Sequence, residues 1–325
     1  MVATPVRTDE ETEALAGQFL TDDHWTTLID FDADVTDPDG NRVLSFRKRA
    51  IGTDVCAQGY EALRDAAQAT DNRGIAGGPL DETKLPPHVK RQIHAQAHSE
   101  HRFRYVKKDG KLSRTNYANT VHSGIIGFFD RNPRFPYCRQ TAYTLENPER
   151  FTSSLPLLRE IDKVYAECVP DKHAAQAAIV HKTHPSWVVH GTVFTTITVN
   201  RNWQTACHMD QGDLKEGFGC LTAFRSGIYT GGYLVFPKYG LAINMSSRDV
   251  LMANVGHEWH GNTAIKGRTG RYERLSLVMY YRTNMQACGS PAQELEMAKR
   301  RQTGDPVNRA NPDEIINRAT DNPTE

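Results

Sequence analysis

The sequence predicts an α+β fold whose core is a double-sheet jelly roll flanked by helices. Three observations carry that prediction. After Pro185, short β-branched and apolar runs follow one another, separated by Gly, Pro and polar turns. Two helical patterns come immediately before them. The chain has 325 residues, 38% of them hydrophobic and 24% charged, enough to bury a sizeable core and stay soluble.

Taken in order, the chain opens on an acidic stretch that includes Asp9, Glu10, Glu11, Glu13, Asp22, Asp23, Asp30, Asp32, Asp34 and Asp37. Asp37-Pro38-Asp39-Gly40-Asn41 reads as a turn between the β-like runs Trp25–Phe31 and Arg42–Phe46. Residues 52–82 are Ala/Asp/Gly-rich and weakly patterned, with Gly74, Gly77, Gly78 and Pro79 read as a loop. Nine basic residues then lie between Lys84 and Arg114, a candidate for phosphate contact or an ordinary solvated face. Pro86 and Pro87 introduce a helix, and Lys108-Asp109-Gly110-Lys111 is a hairpin turn. A helix over 153–168 carries Leu158, Ile161, Tyr165 and Cys168 on one face, capped by Ser153 or Ser154 with Pro156 in its first turn. A second helix runs from Asp171 to His181. Strands are expected over Thr192–Val199, Gly219–Phe224, Gly232–Phe236, Leu241–Met245, Asp249–Val255 and Arg274–Tyr281. A last helix falls near Ala292–Arg301. The expected organisation is an N-terminal extension, 1–115, packed on a core domain, 116–285, with a polar tail, 286–325.

The bulk numbers narrow the function. A net charge of zero argues against coating nucleic acid by charge alone but leaves room for a local basic groove. Six cysteines without a C-x-x-C pair point to unpaired thiols in a reducing intracellular compartment. The first residues lack the apolar run of a signal peptide, and no stretch is apolar enough to span a bilayer, so no membrane partner is expected. The chain is expected to act as a monomer.

The chemistry-bearing residues are His208-Met209-Asp210, His257-Glu258-Trp259-His260 and Arg274-Leu275-Ser276. On an extended segment, His208 and Asp210 point to one side and can reach one ion. Two imidazoles and a carboxylate hold ferrous iron on one triangular face and leave the other open. The distal imidazole has two candidates, His257 and His260. The turn-prone Gly261-Asn262-Thr263 that follows favours His260, at a strand end. His-Glu-Trp-His is one residue too short for a zinc-protease helix motif. Arg274 and Ser276 share a strand face, where a guanidinium takes a carboxylate bidentately and a hydroxyl adds a further bond. That is a receptor for 2-oxoglutarate. Arg139 is a further candidate for cosubstrate or phosphate contact, with a structural ion pair as the alternative.

Several stretches together resemble the TET/JBP group of nucleic-acid-modifying dioxygenases. They are Ser123 to Phe128, Tyr137 to Ala142, Phe194 to Asn200, His208 to Asp210, Gly231 to Pro237 and Arg274 to Val278. The resemblance implies a double-stranded β-helix that uses Fe(II) and 2-oxoglutarate to oxidise the methyl of a flipped pyrimidine in DNA. It places His208, Asp210 and His260 at the iron, Arg274 and Ser276 at 2-oxoglutarate, and Tyr280 against the base. Two positions depart: Asp213 stands where TET proteins read the base with asparagine, and Arg282 where they carry histidine. The cysteine-rich zinc module of TET proteins has no counterpart in this sequence. The leading expectation is conversion of 5-methylcytosine to 5-hydroxymethylcytosine. Alternatives are thymine hydroxylation of the JBP type, ascorbate-dependent glyceryl transfer as in the algal TET relative, and an inactive cupin-like nucleic-acid-binding module.

Overall fold

A computed structural model describes residues 1–95, 105–111, 113, 117–132 and 134–302. Of the basic segment, Arg102, Arg104 and Arg114 lie outside the described residues, as does the tail from 303. No described helix is long and apolar enough to cross a membrane.

The strands are β1 (Thr27–Ile29), β2 (Ala33–Thr36), β3 (Arg42–Arg47), β4 (Ala69–Thr70), β5 (Val121–Phe129), β6 (Arg139–Gln140) and β7 (Thr196–Arg201). They continue with β8 (Gly219–Gly231), β9 (Leu234–Phe236), β10 (Leu241–Ile243), β11 (Val250–Ala253), β12 (Gly261–Asn262) and β13 (Ile265–Tyr280). The helices are α1 (Asp9–Glu13), α2 (Thr53–Leu63), α3 (Pro87–Ala95), α4 (Ala142–Glu146), α5 (Pro148–Cys168), α6 (Pro170–Val180) and α7 (Pro291–Gln302).

Two sheets form. The larger runs β2-β3-β11-β8-β13-β7-β5-β4, with β6 paired to β5. The smaller runs β1-β10-β9-β12. The expected double-stranded β-helix with flanking helices is therefore present. The N-terminal residues are woven into it rather than laid over it. β1 pairs parallel to β10, and β3 pairs antiparallel to β11.

One apolar cluster joins helices to the larger sheet: Cys56, Ala62 and Leu63 of α2 and Leu158, Ile161 and Tyr165 of α5 meet Ile197, Val199, Leu275, Leu277 and Met279. A second cluster fills part of the space between the sheets, with Phe46, Leu221, Phe236, Ile243 and Leu251. Burial of this kind supplies the main stabilising term.

Several elements differ from the sequence reading. Helix α2 lies in the weakly patterned stretch 52–82, its inward face made of small residues, Cys56, Gly59 and Ala62 with Leu63, which carry little hydrophobic signal. Helix α5 starts at Pro148, five residues before the expected cap, and Pro156 lies inside it; Phe151 and Leu155 extend its buried face upstream. Strand β7 begins at Thr196 rather than Thr192, the residues before it folding into a buried turn in which Val189 N–H donates to Phe194 O (2.8 Å). Gly261 and Asn262, read as turn-prone, form β12 against Val235 and Leu234.

The cysteines are not all unpaired. Cys138 and Cys288, 150 positions apart, form a disulfide, whereas Cys56, Cys168, Cys207 and Cys220 are thiols. Helix α7 brings the two together. Its fully buried Glu294 accepts the backbone N–H of Cys138 and of Gly289, both at 2.7 Å, and pairs with Arg131.

Candidate active site

The candidate metal-holding residues are set by backbone pairing. His208 and His260 form an antiparallel bridge, N–H to O at 2.8 and 2.9 Å in the two directions. That sets their rings 4.5 Å apart. Gly261 makes the approach possible, since a Cβ there would lie 3.0 Å from the backbone of Ala206 and Cys207. Asp210 is held by its own N–H to Val255 O at 3.0 Å.

Each imidazole is oriented by a carbonyl. Nδ1 of His208 donates to Ala206 O at 2.8 Å, and Nδ1 of His260 to Glu258 O at 2.9 Å. Both Nε2 atoms therefore turn to Asp210, at 3.4 Å from Oδ1 and 3.6 Å from Oδ2. The three ligand atoms lie within 4.8 Å of one another. His257 is exposed and apart from this group, so His260 is the distal member.

The electrostatics suit a cation. Burial pushes the His260 imidazole down to about 4, and the neighbouring His208 charge adds to that, so its ring is neutral and its Nε2 lone pair free. Burial works to raise the Asp210 carboxyl, but the His208 hydrogen bond and the electrostatic pull of the two flanking imidazoles outweigh it and hold it low. Burial likewise works to lower His208, yet Asp210 raises it. Two imidazole nitrogens and a carboxylate in open triangular array fit ferrous iron.

All three residues line a cavity of about 530 Å³ between the sheets, within the range of small-molecule sites. Strand β13 contributes Arg274, Ser276, Val278 and Tyr280 to it, every second residue, while Leu275, Leu277 and Met279 face the helices. Arg274 is 4% exposed. Among the described residues its guanidinium forms no hydrogen bond or ion pair; its backbone is engaged by Asn202, whose Oδ1 accepts from its N–H at 2.7 Å and whose N–H donates to its carbonyl at 2.8 Å. Burial lowers its pKa. Gly232, at φ +66°, lies against its stem, where a Cβ would come to 3.0 Å from Arg274 Cδ. A buried guanidinium without a counter-ion, beside the Ser276 hydroxyl, fits a carboxylate ligand.

The other predicted residues divide. Tyr280 is buried in the wall with its hydroxyl 3.1 Å from that of Thr198, and burial, helped by Asp213, pushes it up to about 12. Asp213 lines the cavity with Oδ2 buried and unpartnered. Burial and the Asp210 charge raise its carboxyl well above the usual range, against the pull of Arg282. Arg282 also lines the cavity, but its guanidinium is already committed: it pairs with buried Asp130 at 2.7 Å and covers the Phe129 ring at 4.1 Å. Arg139 does not reach the cavity. Its guanidinium lies over the rings of Phe135 (4.2 Å) and Phe129 (5.2 Å) and donates to Asp130 O at 3.2 Å. The adjoining aromatic rings and carbonyl hold it there, apart from the residues that line the cavity. Sequence reading missed Arg73 and Trp203, both cavity residues from segments without strong pattern.

A triad of this kind facing an unpaired guanidinium inside a double-stranded β-helix defines the class of iron- and 2-oxoglutarate-dependent oxygenases. Residues 124–283 match the Tet_JBP family model, described as the oxygenase domain of the 2OGFeDO superfamily. Among curated relatives, a bifunctional helicase and thymine dioxygenase JBP2 of Leishmania braziliensis is 31% identical over 229 residues, 70% of this chain and 20% of its own length. A thymine dioxygenase JBP1 of Trypanosoma brucei brucei is 37% identical over 166 residues, 50% of this chain and 19% of its own length. The chain thus spans about a fifth of these relatives. A solved structure, NgTET1 in complex with 5mC DNA, superposes with a TM-score of 0.56 at 12% identity, covering 92% of this chain and 90% of that one. That likeness concerns the fold. Residues 124–283 thus carry the oxygenase domain of the TET/JBP family.

Proposed function

We propose that this chain is an Fe(II)/2-oxoglutarate-dependent dioxygenase that hydroxylates the methyl group of a pyrimidine in DNA, with thymine as the substrate. The observation that carries the reading is the convergence of His208, Asp210, His260, Arg274, Ser276 and Tyr280 on one cavity. Thymine ranks ahead of 5-methylcytosine because relatives 31% and 37% identical are named thymine dioxygenases. One chain supplies every lining residue, so a monomer suffices.

His208, Asp210 and His260 would hold the iron by one face. Arg274 would take the distal carboxylate of 2-oxoglutarate, with Ser276 adding a hydrogen bond. Iron with 2-oxoglutarate and dioxygen would supply the oxidising chemistry, one oxygen atom entering a C–H bond and the other ending in succinate as carbon dioxide leaves. The remaining work is placement. A methyl inside duplex DNA is out of reach, so the base must leave the stack and enter the cavity. Tyr280 lies beside it, Asp213 offers an acceptor to a ring or amino N–H, and Ile125, Phe129 and Val278 exclude water.

The test offers duplexes containing thymine or 5-methylcytosine, with ferrous iron plus 2-oxoglutarate or ascorbate alone, and reads nucleosides by mass spectrometry. 5-Hydroxymethyluracil that requires 2-oxoglutarate and vanishes in His208→Ala is the expected result. 5-Hydroxymethylcytosine instead would move the substrate to 5-methylcytosine. A larger adduct with ascorbate alone would replace the cosubstrate. No modified base under any condition overturns the reading.

A further inference from the structure

Among the described residues, a few buried side-chain polar atoms have no hydrogen-bond partner, and three of them belong to this one cavity: Arg73 Nε, Trp203 Nε1 and Asp213 Oδ2. Buried polar groups are normally satisfied, so unsatisfied ones gathered in a cavity mark where a ligand completes the bonding. Two are donors and one an acceptor.

Arg73 is the most informative. It comes from the N-terminal part of the chain, outside the family-matched residues 124–283. Its loop is fixed on both sides. Gln68 O accepts from Ser123 N–H at 2.8 Å, and Ala76 O from Ala206 N–H at 2.9 Å, two residues before His208. Asn119 Nδ2 further ties Gly77 O at 2.9 Å and Pro79 O at 2.6 Å. The guanidinium so placed makes no hydrogen bond or ion pair among the described residues. Burial lowers its pKa, and the one group acting the other way is Tyr280, at the base end of the wall. The cavity thus holds two uncommitted guanidiniums. Arg274 has Ser276 beside it and answers to the cosubstrate. Arg282 is taken by Asp130.

We infer that Arg73 is a substrate-positioning residue whose guanidinium donates to an oxygen of the extruded pyrimidine nucleotide, with Trp203 as an adjoining donor. The inference rests on the proposed function and deepens it. The oxygen belongs to a base carbonyl or to a flanking phosphate, both acceptors of a guanidinium N–H, and the two are separated by the experiment below.

The experiment measures binding without turnover. The 325-residue chain loaded with Mn(II) and 2-oxoglutarate is titrated into fluorescent duplexes carrying either thymine or an abasic site at the target, and anisotropy is read. Wild type, Arg73→Ala and Arg73→Lys are compared, with thermal unfolding as a control for folding and calorimetry for 2-oxoglutarate. Arg73→Ala is expected to weaken the thymine duplex about tenfold, the loss of one charge-assisted contact, with Arg73→Lys partly restoring it and 2-oxoglutarate affinity unchanged. An equal loss on the abasic duplex assigns the contact to phosphate; a loss confined to thymine assigns it to the base. Wild-type affinity in Arg73→Ala, or a loss of 2-oxoglutarate binding instead, overturns the inference alone. Wild type that binds 2-oxoglutarate but no duplex removes the proposed function and the inference together. Should Arg73→Ala fail to fold, the same comparison is made with Arg73→Gln.

Discussion

Leu275, Leu277 and Met279 on one side of β13 pack into the helix-facing core, while Arg274, Ser276, Val278 and Tyr280 on the other side line the cavity. Both sides are buried: Leu277 is 0% exposed and Arg274 4%. They differ in whether the buried groups have found their partners. The apolar side is complete, its side chains belonging to one buried cluster with residues of α2 and α5. The polar side is unfinished, with a guanidinium that lacks a counter-ion. Folding stability should therefore depend on the first side and ligand binding on the second. An alternating strand makes the separation possible, since neighbouring residues never share an environment.

Four changes would break or sharpen this contrast, beginning with the largest. Asp210→Ala removes the carboxylate between the imidazoles; turnover should drop to background and Fe(II) binding should be lost by calorimetry. The metal-free variant should melt no lower than metal-free wild type. A lower melting point would mean that the triad also supports the fold. Leu277→Ala opens the completed side and should cost about 2–5 kcal/mol in urea unfolding, with the Michaelis constant for 2-oxoglutarate unaltered. A changed constant would show that the two sides communicate. Arg274→Lys keeps the charge but loses the bidentate fork. At about 1.5–3 kcal/mol for a charge-assisted bond, the Michaelis constant for 2-oxoglutarate should rise about ten- to hundredfold with the urea midpoint unmoved. Ser276→Ala should cost about 0.5–1.5 kcal/mol of cosubstrate binding, a several-fold effect in the same assay. If Ser276→Ala outweighed Arg274→Lys, the roles given to the two residues would be reversed.

The sequence made some of this legible and hid the rest, for identifiable reasons. Arg-Leu-Ser-Leu-Val-Met-Tyr states its alternation openly, so both sides of β13 could be assigned from residues alone. His208 and Asp210, two apart, declared a shared face in the same way. The His208–His260 bridge joins residues 52 positions apart and follows from no local pattern. The choice of His260 over His257 therefore needed coordinates to become geometry. Helix α2 escaped notice because packing closely on α5 requires small residues, and small residues carry weak periodicity; a Cβ on Gly59 would lie 2.3 Å from Leu157 Cδ2. Arg139 sat inside a family-like motif, yet two aromatic rings and a carbonyl hold it away from the ligand space. Arg73 sat in a stretch with no motif at all and reached the cavity through loop anchoring that only tertiary contacts reveal.

The backbone around the metal-bearing segment carries a practical lesson for anyone trimming the gene. Cys207, next to His208, exchanges hydrogen bonds with the chain near Gln18: Gly17 N–H donates to Cys207 O at 2.7 Å and Cys207 N–H to Gln18 O at 2.8 Å. With Ala76 bonded to Ala206, the stretch that carries His208 and Asp210 is stitched to the amino-terminal eighty residues at two successive positions. An expression fragment cut to the homology-defined boundaries would keep all three ligands and yet remove the scaffold that aims them. Truncation should thus disarm this enzyme well before it touches a reactive group.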